Sequence, residues 1–466
     1  MNKIEKQTQN LSPFEMPLSW RSSLAKIPVP LDHSNPTFLI KGPKRNGKST
    51  FARTLLNKLL MHHKRVAFLD CDPGQSEFTP AGFVSLHVVA QPIFGPPYTH
   101  LVLPFKAHFI ASTTPKTSPS LYLDGVKDLF DTWRVDVMRV SMSDDVDEDE
   151  RVADTIPLVI NTMGWSKGLG VDLMQKIEAM VEPGYVFDFR ADDSFSRPHS
   201  FESPFHHYHN AHTAQTYTLE SAPSSALSAN YIPADHRSLS ILSYFHATFS
   251  SLSSSLKLQS HEPNFDPLMA QSWDTTLPLC AIRPFEVDVH TAFDQIILLG
   301  AGSEDVVPDE LSKVLNGALV GFVRLDRRLP SNADSRTDNS SLMTLYNQCQ
   351  PPPSPSESSC VGLGLIRGVS FPPASEDPSS RATLHILTPI PPVMLSDARI
   401  LVKGDIELPI WGMLDFRQLG DNGDIATIAG VERGKVPYLQ WGRSSKGAIG
   451  ADKRRVRKNL MRRGQA

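Results

Sequence analysis

Eight residues near the start of the chain, Gly42-Pro43-Lys44-Arg45-Asn46-Gly47-Lys48-Ser49, have the types and spacing needed to hold a row of phosphates. Gly42 and Gly47 let the backbone bend so that successive N–H groups point at phosphate oxygens, and a helix starting there adds a favourable dipole. In the spacing GxxxxGK[ST], Lys48 neutralises charge on the β- and γ-phosphates and Ser49 offers a hydroxyl to Mg²⁺. Thr50 completes this candidate cofactor-binding set. Further on, Asp70-Cys71-Asp72-Pro73-Gly74-Gln75 places two carboxylates at the end of a second apolar run. A carboxylate at the end of the strand neighbouring such a loop is where Mg²⁺ is held. Two carboxylates two residues apart share one face of an extended strand. One can then serve the metal while the other takes a proton from an attacking hydroxyl. The alternative is that one of them only caps a turn before Pro73.

These residues need a scaffold, and the sequence predicts one. Thr37-Phe38-Leu39-Ile40 reads as a buried strand ahead of the glycine-bounded loop. Phe51, Leu55, Leu56, Leu59 and Leu60 recur at helical spacing, so a helix is expected from Lys48 to about His63. Val66-Ala67-Phe68-Leu69 is a second strand, ending at Asp70, and Pro157-Leu158-Val159-Ile160 a third, ending at Asn161-Thr162. Leu173, Ile177 and Val181 mark a helix after Gly170, and residues 185–189 a further strand. Strands alternating with helices argue for an α/β layer with a mainly parallel sheet. Apolar segments at 295–299, 318–325, 362–366 and 383–387 are expected to be strands of a smaller, β-rich C-terminal domain.

The segments GPKRNGKST and FLDCDPGQSEFTPAGFVSL together resemble the eukaryotic polynucleotide 5′-hydroxyl kinases, and more narrowly their nucleolar branch in pre-ribosomal RNA processing. The family's DxDxGQ motif is matched by Asp70, Asp72 and Gln75. Its clasp, usually TPGW, corresponds to Thr162-Met163-Gly164-Trp165, with methionine where proline is usual. Asn161, Lys167, Gly168 and Gly170 also look like that branch. Residues 234–237 (ADHR) and 242–245 (LSYF) resemble its lid, and GLGLIRGV and LHILTPIPP its C-terminal part. The resemblance implies an ATP- and Mg²⁺-dependent transfer of the γ-phosphate to the 5′-hydroxyl of RNA. It implies Lys48, Asp72 and Arg237 as catalytic residues, with Arg237 closing over the phosphates. Ser49 and Asp70 would serve the metal, and Gln75, Thr162, Trp165 and Lys167 the RNA. It also implies a HEPN-type endoribonuclease as partner, in the nucleus and nucleolus.

From residues alone, Trp165 beside a strand end is more often core than a stacking platform, and Arg237 is also readable as a salt-bridged surface arginine. Leu239, Leu242 and Phe245 are expected on the apolar side of the helix that carries Arg237. His206, His207, His209 and His212 lack the cysteines or acids that would complete a metal site and read as a loop. Gly362-Leu363-Gly364 fails the dinucleotide fingerprint. The absence of an NKxD-type motif weighs against a GTPase. A nucleotide-binding scaffold without turnover is the rival from another class.

The length of 466 residues suggests two to three domains at about 150 residues each. A net charge of −4 predicts no general attraction to nucleic acid, so a polyanion site must come from local charge. Cys71, Cys280, Cys349 and Cys360 are in no CxxC spacing, which fits a reducing compartment. No apolar run reaches the ~18 residues of a membrane span, so no membrane partner is expected. Residues 1–35 read as a tail or the remnant of a missing domain, 36–275 as the kinase domain, and 276–440 as the β-rich domain. Residues 330–360, with many serines and PPPSP, are expected to be a disordered insertion. Residues 143–150 (SDDVDEDE) read as a solvated loop, and 191–230 show no clear period. The strongly basic stretch 453–463 (KRRVRKNLMRR), within a tail from 441 to 466, suits nuclear import, RNA contact or partner docking, and the resemblance favours docking.

Overall fold

The apolar runs fold as buried strands because helices cover both faces of one sheet, which leaves no wet face for polar residues to occupy. The computed structural model describes residues 14–28, 31, 36–139, 149–189, 214–223, 232–249, 268–326, 345–370, 382–408, 413, 417–419, 425–428 and 431–432. In chain order the first elements are α1 (Leu18–Ala25), β1 (Thr37–Lys41), α2 (Lys48–Leu60), β2 (Val66–Asp70), β3 (Phe83–Val89) and β4 (Lys106–Phe109). Then come α3 (Pro119–Thr132), β5 (Leu158–Asn161), α4 (Leu169–Val181), β6 (Tyr185–Phe189), β7 (Gln215–Leu219) and α5 (Pro233–His246). The seven strands form one sheet in the order β4-β3-β2-β5-β1-β6-β7. Strands β2, β5, β1, β6 and β7 run parallel, while β3 and β4 add an antiparallel edge. On one face Phe51, Leu55 and Leu59 of α2 pack with Phe38, Phe68 and Phe187. On the other face Tyr122, Val126 and Leu129 of α3 join Ile177 of α4 over Leu39, Leu69 and Ile160.

Two short strands, β8 (Ala247–Phe249) and β9 (Ala270–Trp273), pair beside α5. A second sheet holds β10 (Phe285–Asp288), β11 (Gln295–Leu298), β12 (Leu319–Leu325), β13 (Ser358–Ser370), β14 (Thr383–Leu387) and β15 (Ile400–Lys403) in the order β10-β14-β13-β12-β15-β11. The fold is therefore mixed α/β, with a mostly parallel sheet and a separate β-rich sheet. Both sheets lie in one compact unit, residues 1–275 with 283–409, so the β-rich part does not separate at 276. The contacts across it are intimate. A Cβ on Gly321 of β12 would meet Phe109 of β4 at 2.6 Å. The Tyr244 hydroxyl of α5 accepts from Leu363 N at 2.8 Å and donates to Leu363 O at 3.2 Å. The second unit comprises 276–282 and 410–466, and its described strands are β16 (Arg417–Leu419), β17 (Ile425–Ile428) and β18 (Val431–Glu432).

Several sequence expectations differ from the fold. Within 1–35, read as a tail or the remnant of a missing domain, α1 packs against the main core with Trp20 fully buried. Within 330–360, residues 345–360 are ordered: Leu345, Tyr346, Pro355 and Cys360 are buried, and β13 begins at Ser358. Burial of those side chains holds a proline- and serine-rich stretch that composition alone marks as unstructured. Residues 327–344, the four histidines at 206–212, the acidic 143–148 and the basic 453–463 lie outside the described residues. Within 191–230, β7 is an edge strand with four of its five residues at least partly exposed, which explains its weak hydrophobic signal. In α5 the buried face is Ser240, Ile241, Tyr244 and Phe245 rather than Leu239 and Leu242, since Tyr244 is turned toward β13.

Candidate active site

The loop between β1 and α2 is bent by residues that tolerate a left-handed backbone. Gly42 has φ +135°, and a Cβ there would strike Phe189 Cβ and O at 2.5 Å; Gly47 has φ +93° and Arg45 φ +66°. Gly47 caps α2 without a side-chain hydrogen bond, and the first turn carries no acidic residue. The open N–H groups and positive helix end are then available to an anion. The Lys48 ammonium is buried and donates to Pro43 O at 2.8 Å, folding back over the loop it belongs to. Burial lowers its pKa to about 8, and the nearby negative charge of Asp72 partly opposes that shift.

Asp70 and Asp72 do not share one face. The strand ends at Asp70 and the chain turns. The Asp70 Oδ1 accepts from Asp72 N at 3.2 Å and from Asn161 Nδ2 at 3.1 Å, while Oδ2 accepts from Glu77 N at 2.6 Å. Burial nonetheless pushes its carboxyl up to about 8. The Asp72 Oδ1 caps the next turn, accepting from Gly74 N at 2.9 Å and Gln75 N at 3.2 Å. Its Oδ2 has no hydrogen bond among the described residues, so the turn engages only one of the two carboxylate oxygens. Enclosure raises the Asp72 pKa; the Gly74 N–H and the Lys48 charge pull it back down.

A cavity of about 240 Å³ brings part of the motifs together, while Lys48, Asp70, Asp72 and the clasp residues are not in its lining. Ser49 and Thr50 from the loop, Gln75 and Ser76 from the turn, and His236 and Arg237 from α5 line it. Arg53, one helical turn beyond Ser49, lines it too, with Nε donating to Glu77 Oε1 at 2.8 Å and a guanidinium N–H bonded to Gly95 O. His100 Nε2 lies 2.9 Å from the same Glu77 oxygen. The helical i, i+4 spacing of Ser49 and Arg53 was a usable sequence signal; Glu77 and His100 carried none. A larger cavity of about 400 Å³ beside β10 contains none of the motif residues.

The clasp residues part company in the structure. Thr162, expected to touch RNA, is buried, and its Oγ1 donates to Ile40 O at 2.7 Å. It satisfies a carbonyl at the end of the β1–β5 ladder and has no hydroxyl proton left for a ligand. Met163 is buried in the core, where a proline would usually stand in the family motif. Trp165 is half-buried, with Lys44 Nζ 5.7 Å and Lys116 Nζ 5.3 Å from its ring centroid. Lys167 is exposed just before α4. Gly164 sits so close to the phosphate loop that a Cβ would meet Lys44 Cγ at 2.6 Å and Lys44 Cα and N at 2.8 Å. Backbone atoms cannot step aside, so Gly164→Ala is expected to displace the loop. ATP affinity falls about tenfold or more, ~1.4 kcal/mol per factor of ten, as isothermal titration would show.

A mostly parallel sheet, a glycine-bounded loop opening a helix with lysine and serine, and an aspartate turn at the end of β2 define a P-loop nucleotide-binding protein. Strand β5 separates β2 from β1, so β2 is not the direct neighbour that the sequence suggested. Residues 42–247 match the family model described as mRNA cleavage and polyadenylation factor CLP1 P-loop. The chain is 36% identical over 475 residues to "Polynucleotide 5′-hydroxyl-kinase GRC3" of Cryptococcus neoformans, covering 97% of this chain and 60% of that protein. It is 25% identical to human "Polynucleotide 5′-hydroxyl-kinase NOL9", covering 87% of this chain and 54% of that one. The family model covers less than half of the chain, and over most of its length the chain is similar to the relatives named GRC3 and NOL9. It spans about 60% or less of the length of these curated relatives. A solved structure of the extended interface between Pcf11p and Clp1p shares the fold, with a TM-score of 0.51 at 13% identity, covering 85% of this chain and 81% of that one.

Proposed function

We propose that the chain is an ATP-dependent polynucleotide 5′-hydroxyl kinase that transfers the γ-phosphate of ATP to the 5′-hydroxyl of RNA. The observation that carries this reading is the free Oδ2 of Asp72, an acceptor beside the Lys48 phosphate loop whose pKa is raised by enclosure. The P-loop amides and Lys48 hold the triphosphate. Asp72 takes the proton as the 5′-oxygen attacks phosphorus, and the β–γ bridging oxygen leaves with ADP. Arg237, on the wall of the cavity shared with Ser49, meets charge on the transferring group. Gln75 and Trp165 orient the RNA end, the tryptophan by stacking on a base.

Ser49 and Asp70 are the residues that would hold Mg²⁺, which supplies charge neutralisation at the phosphates when bound. The surroundings fit a cation: Asn161 Oδ1 and Glu77 Oε2 are buried acceptors without donors, and both residues contact Asp70. Asp70 already accepts three bonds from its own chain, which leaves Ser49 as the more open ligand. Among the described residues no group of three or more His, Cys, Asp or Glu is arranged to hold a metal. That agrees with Mg²⁺ bound through one or two protein oxygens and the substrate phosphates.

The proposed setting is pre-ribosomal RNA processing in the nucleolus, beside a HEPN-type endoribonuclease whose cut leaves a 5′-hydroxyl end. The resemblance to the nucleolar branch supports it, as do relatives named GRC3 and NOL9. The reading is tested by incubating the chain with γ-labelled ATP, Mg²⁺ and a 5′-hydroxyl oligoribonucleotide. Label is expected on the 5′ end. Tight, stoichiometric ATP without transfer would instead favour a nucleotide-binding scaffold.

With Mg²⁺ saturating, which would favour the carboxylate form of Asp70 that burial otherwise holds protonated up to about 8, the pH dependence follows from two other groups. Below its raised pKa, Asp72 carries a proton and cannot accept another, so transfer falls toward acid. Above about 8, Lys48 of the free protein loses its charge and ATP capture falls. Bound phosphates favour the charged lysine, so the alkaline fall is expected in kcat/KM for ATP more than in kcat. A kcat/KM profile flat through pH 8 contradicts the Lys48 assignment.

A further inference from the structure

Lys116 lies in a stretch that the sequence motifs leave unassigned, yet its loop is anchored by backbone hydrogen bonds and close approaches. The loop leaves β4 with Ile110 N and Ala111 N both donating to Gly82 O, at 2.8 and 3.2 Å. Ala111 takes a left-handed backbone, φ +60°. Its carbonyl accepts from Asp405 N at 2.7 Å, and Gly404 approaches so closely that a Cβ there would lie 2.1 Å from that oxygen. Two residues on, the Thr113 carbonyl lies 2.9 Å from where a Cβ on Gly74 would sit, against the turn that Asp72 caps. An anchored loop therefore carries Lys116 to the Trp165 ring, with Nζ 5.3 Å from its centroid. Lys116 is exposed and forms no ion pair among the described residues.

An ammonium group whose partner is an aromatic ring face is positioned for an anion that arrives with a stacked base. A substrate with a 5′-hydroxyl brings no 5′-phosphate. Its nearest phosphate is the one on the 3′ side of the first nucleoside. We propose that Lys116 is a positioning residue that holds this first 3′-phosphate, so that the chain selects a polynucleotide end over a free nucleoside. The inference rests on the kinase reading and names what that site requires of its acceptor.

The test compares the full chain with Lys116→Ala and Lys116→Arg. Fluorescence anisotropy gives the affinity for a 5′-hydroxyl oligoribonucleotide across a salt series. Transfer to a nucleoside is compared with transfer to its 3′-monophosphate. Lys116→Ala is expected to weaken oligonucleotide binding about tenfold and to reduce the salt slope by about 0.7, the contribution of one phosphate contact in a single strand. It should raise KM for the oligonucleotide while leaving KM for ATP unchanged, and remove the preference for the 3′-monophosphate. Lys116→Arg restores the slope. Wild-type affinity, slope and acceptor preference in Lys116→Ala overturn the proposal. Absence of transfer by the unaltered chain, with a Lys116-dependent salt slope intact, instead sinks the kinase reading and leaves the phosphate contact standing.

Discussion

Asp72→Asn is expected to lower phosphoryl transfer by about 10²- to 10⁴-fold, the usual contribution of a positioned general base. Asparagine has the same shape, and its oxygen still accepts from Gly74 N and Gln75 N, so the turn survives. What is lost is the ability to take a proton from the 5′-hydroxyl. The variant also removes a negative charge that holds the Lys48 pKa up, so ATP affinity is to be measured well below pH 8, where Lys48 stays charged. There the dissociation constant should be nearly unchanged while single-turnover transfer collapses. Transfer within a factor of three of the unaltered chain would assign proton removal to solvent or another group.

Trp20→Ala is expected to destabilise the chain by about 3–5 kcal/mol, the range for emptying a large aromatic site in a core. Trp20 is fully buried and edge-on to Phe51 at 5.3 Å and Phe189 at 5.6 Å, with Nε1 donating to Glu220 O at 2.9 Å. The same ring forms one wall of the phosphate loop, since a Cβ on Gly47 would meet it at 3.0 Å. Loss of the indole should lower the urea midpoint and also weaken ATP binding, because the glycine that opens α2 loses its support. Trp20→Phe refills most of the space and drops one hydrogen bond, for about 1 kcal/mol. If Trp20→Ala unfolds at the same urea concentration as the unaltered chain, α1 is not integral to the nucleotide domain.

The parts of the site that lie close together in sequence could be read before any coordinates. Gly42, Gly47, Lys48 and Ser49 act through local backbone geometry, so eight residues suffice to state it. The parallel core was visible because β1, β2, β5 and β6 are near-continuous apolar runs with their polar residues mostly at the ends, as sheets covered on both faces tend to be. The antiparallel strands β3 and β4 escaped, and with them the loop bearing Lys116, although residues 83–89 are buried from end to end. Thr162 was assigned to RNA because its neighbours match a motif. A threonine at a strand end is equally suited to closing a backbone carbonyl, and the bond from Thr162 Oγ1 to Ile40 O shows that role, which no residue spacing reveals. The buried face of α5 depended on Leu363, 119 residues from Tyr244, a contact no periodicity reports.

The closeness of Gly164 to Lys44 has a thermodynamic consequence. The segment that presents Trp165 and the loop that wraps the triphosphate touch at van der Waals distance, so one cannot be ordered without restricting the other. On the proposed kinase reading, occupancy of either site is then expected to bias the conformations open to its neighbour. Linkage makes that bias reciprocal: whatever factor ATP applies to the affinity for an RNA end, the RNA end returns to ATP.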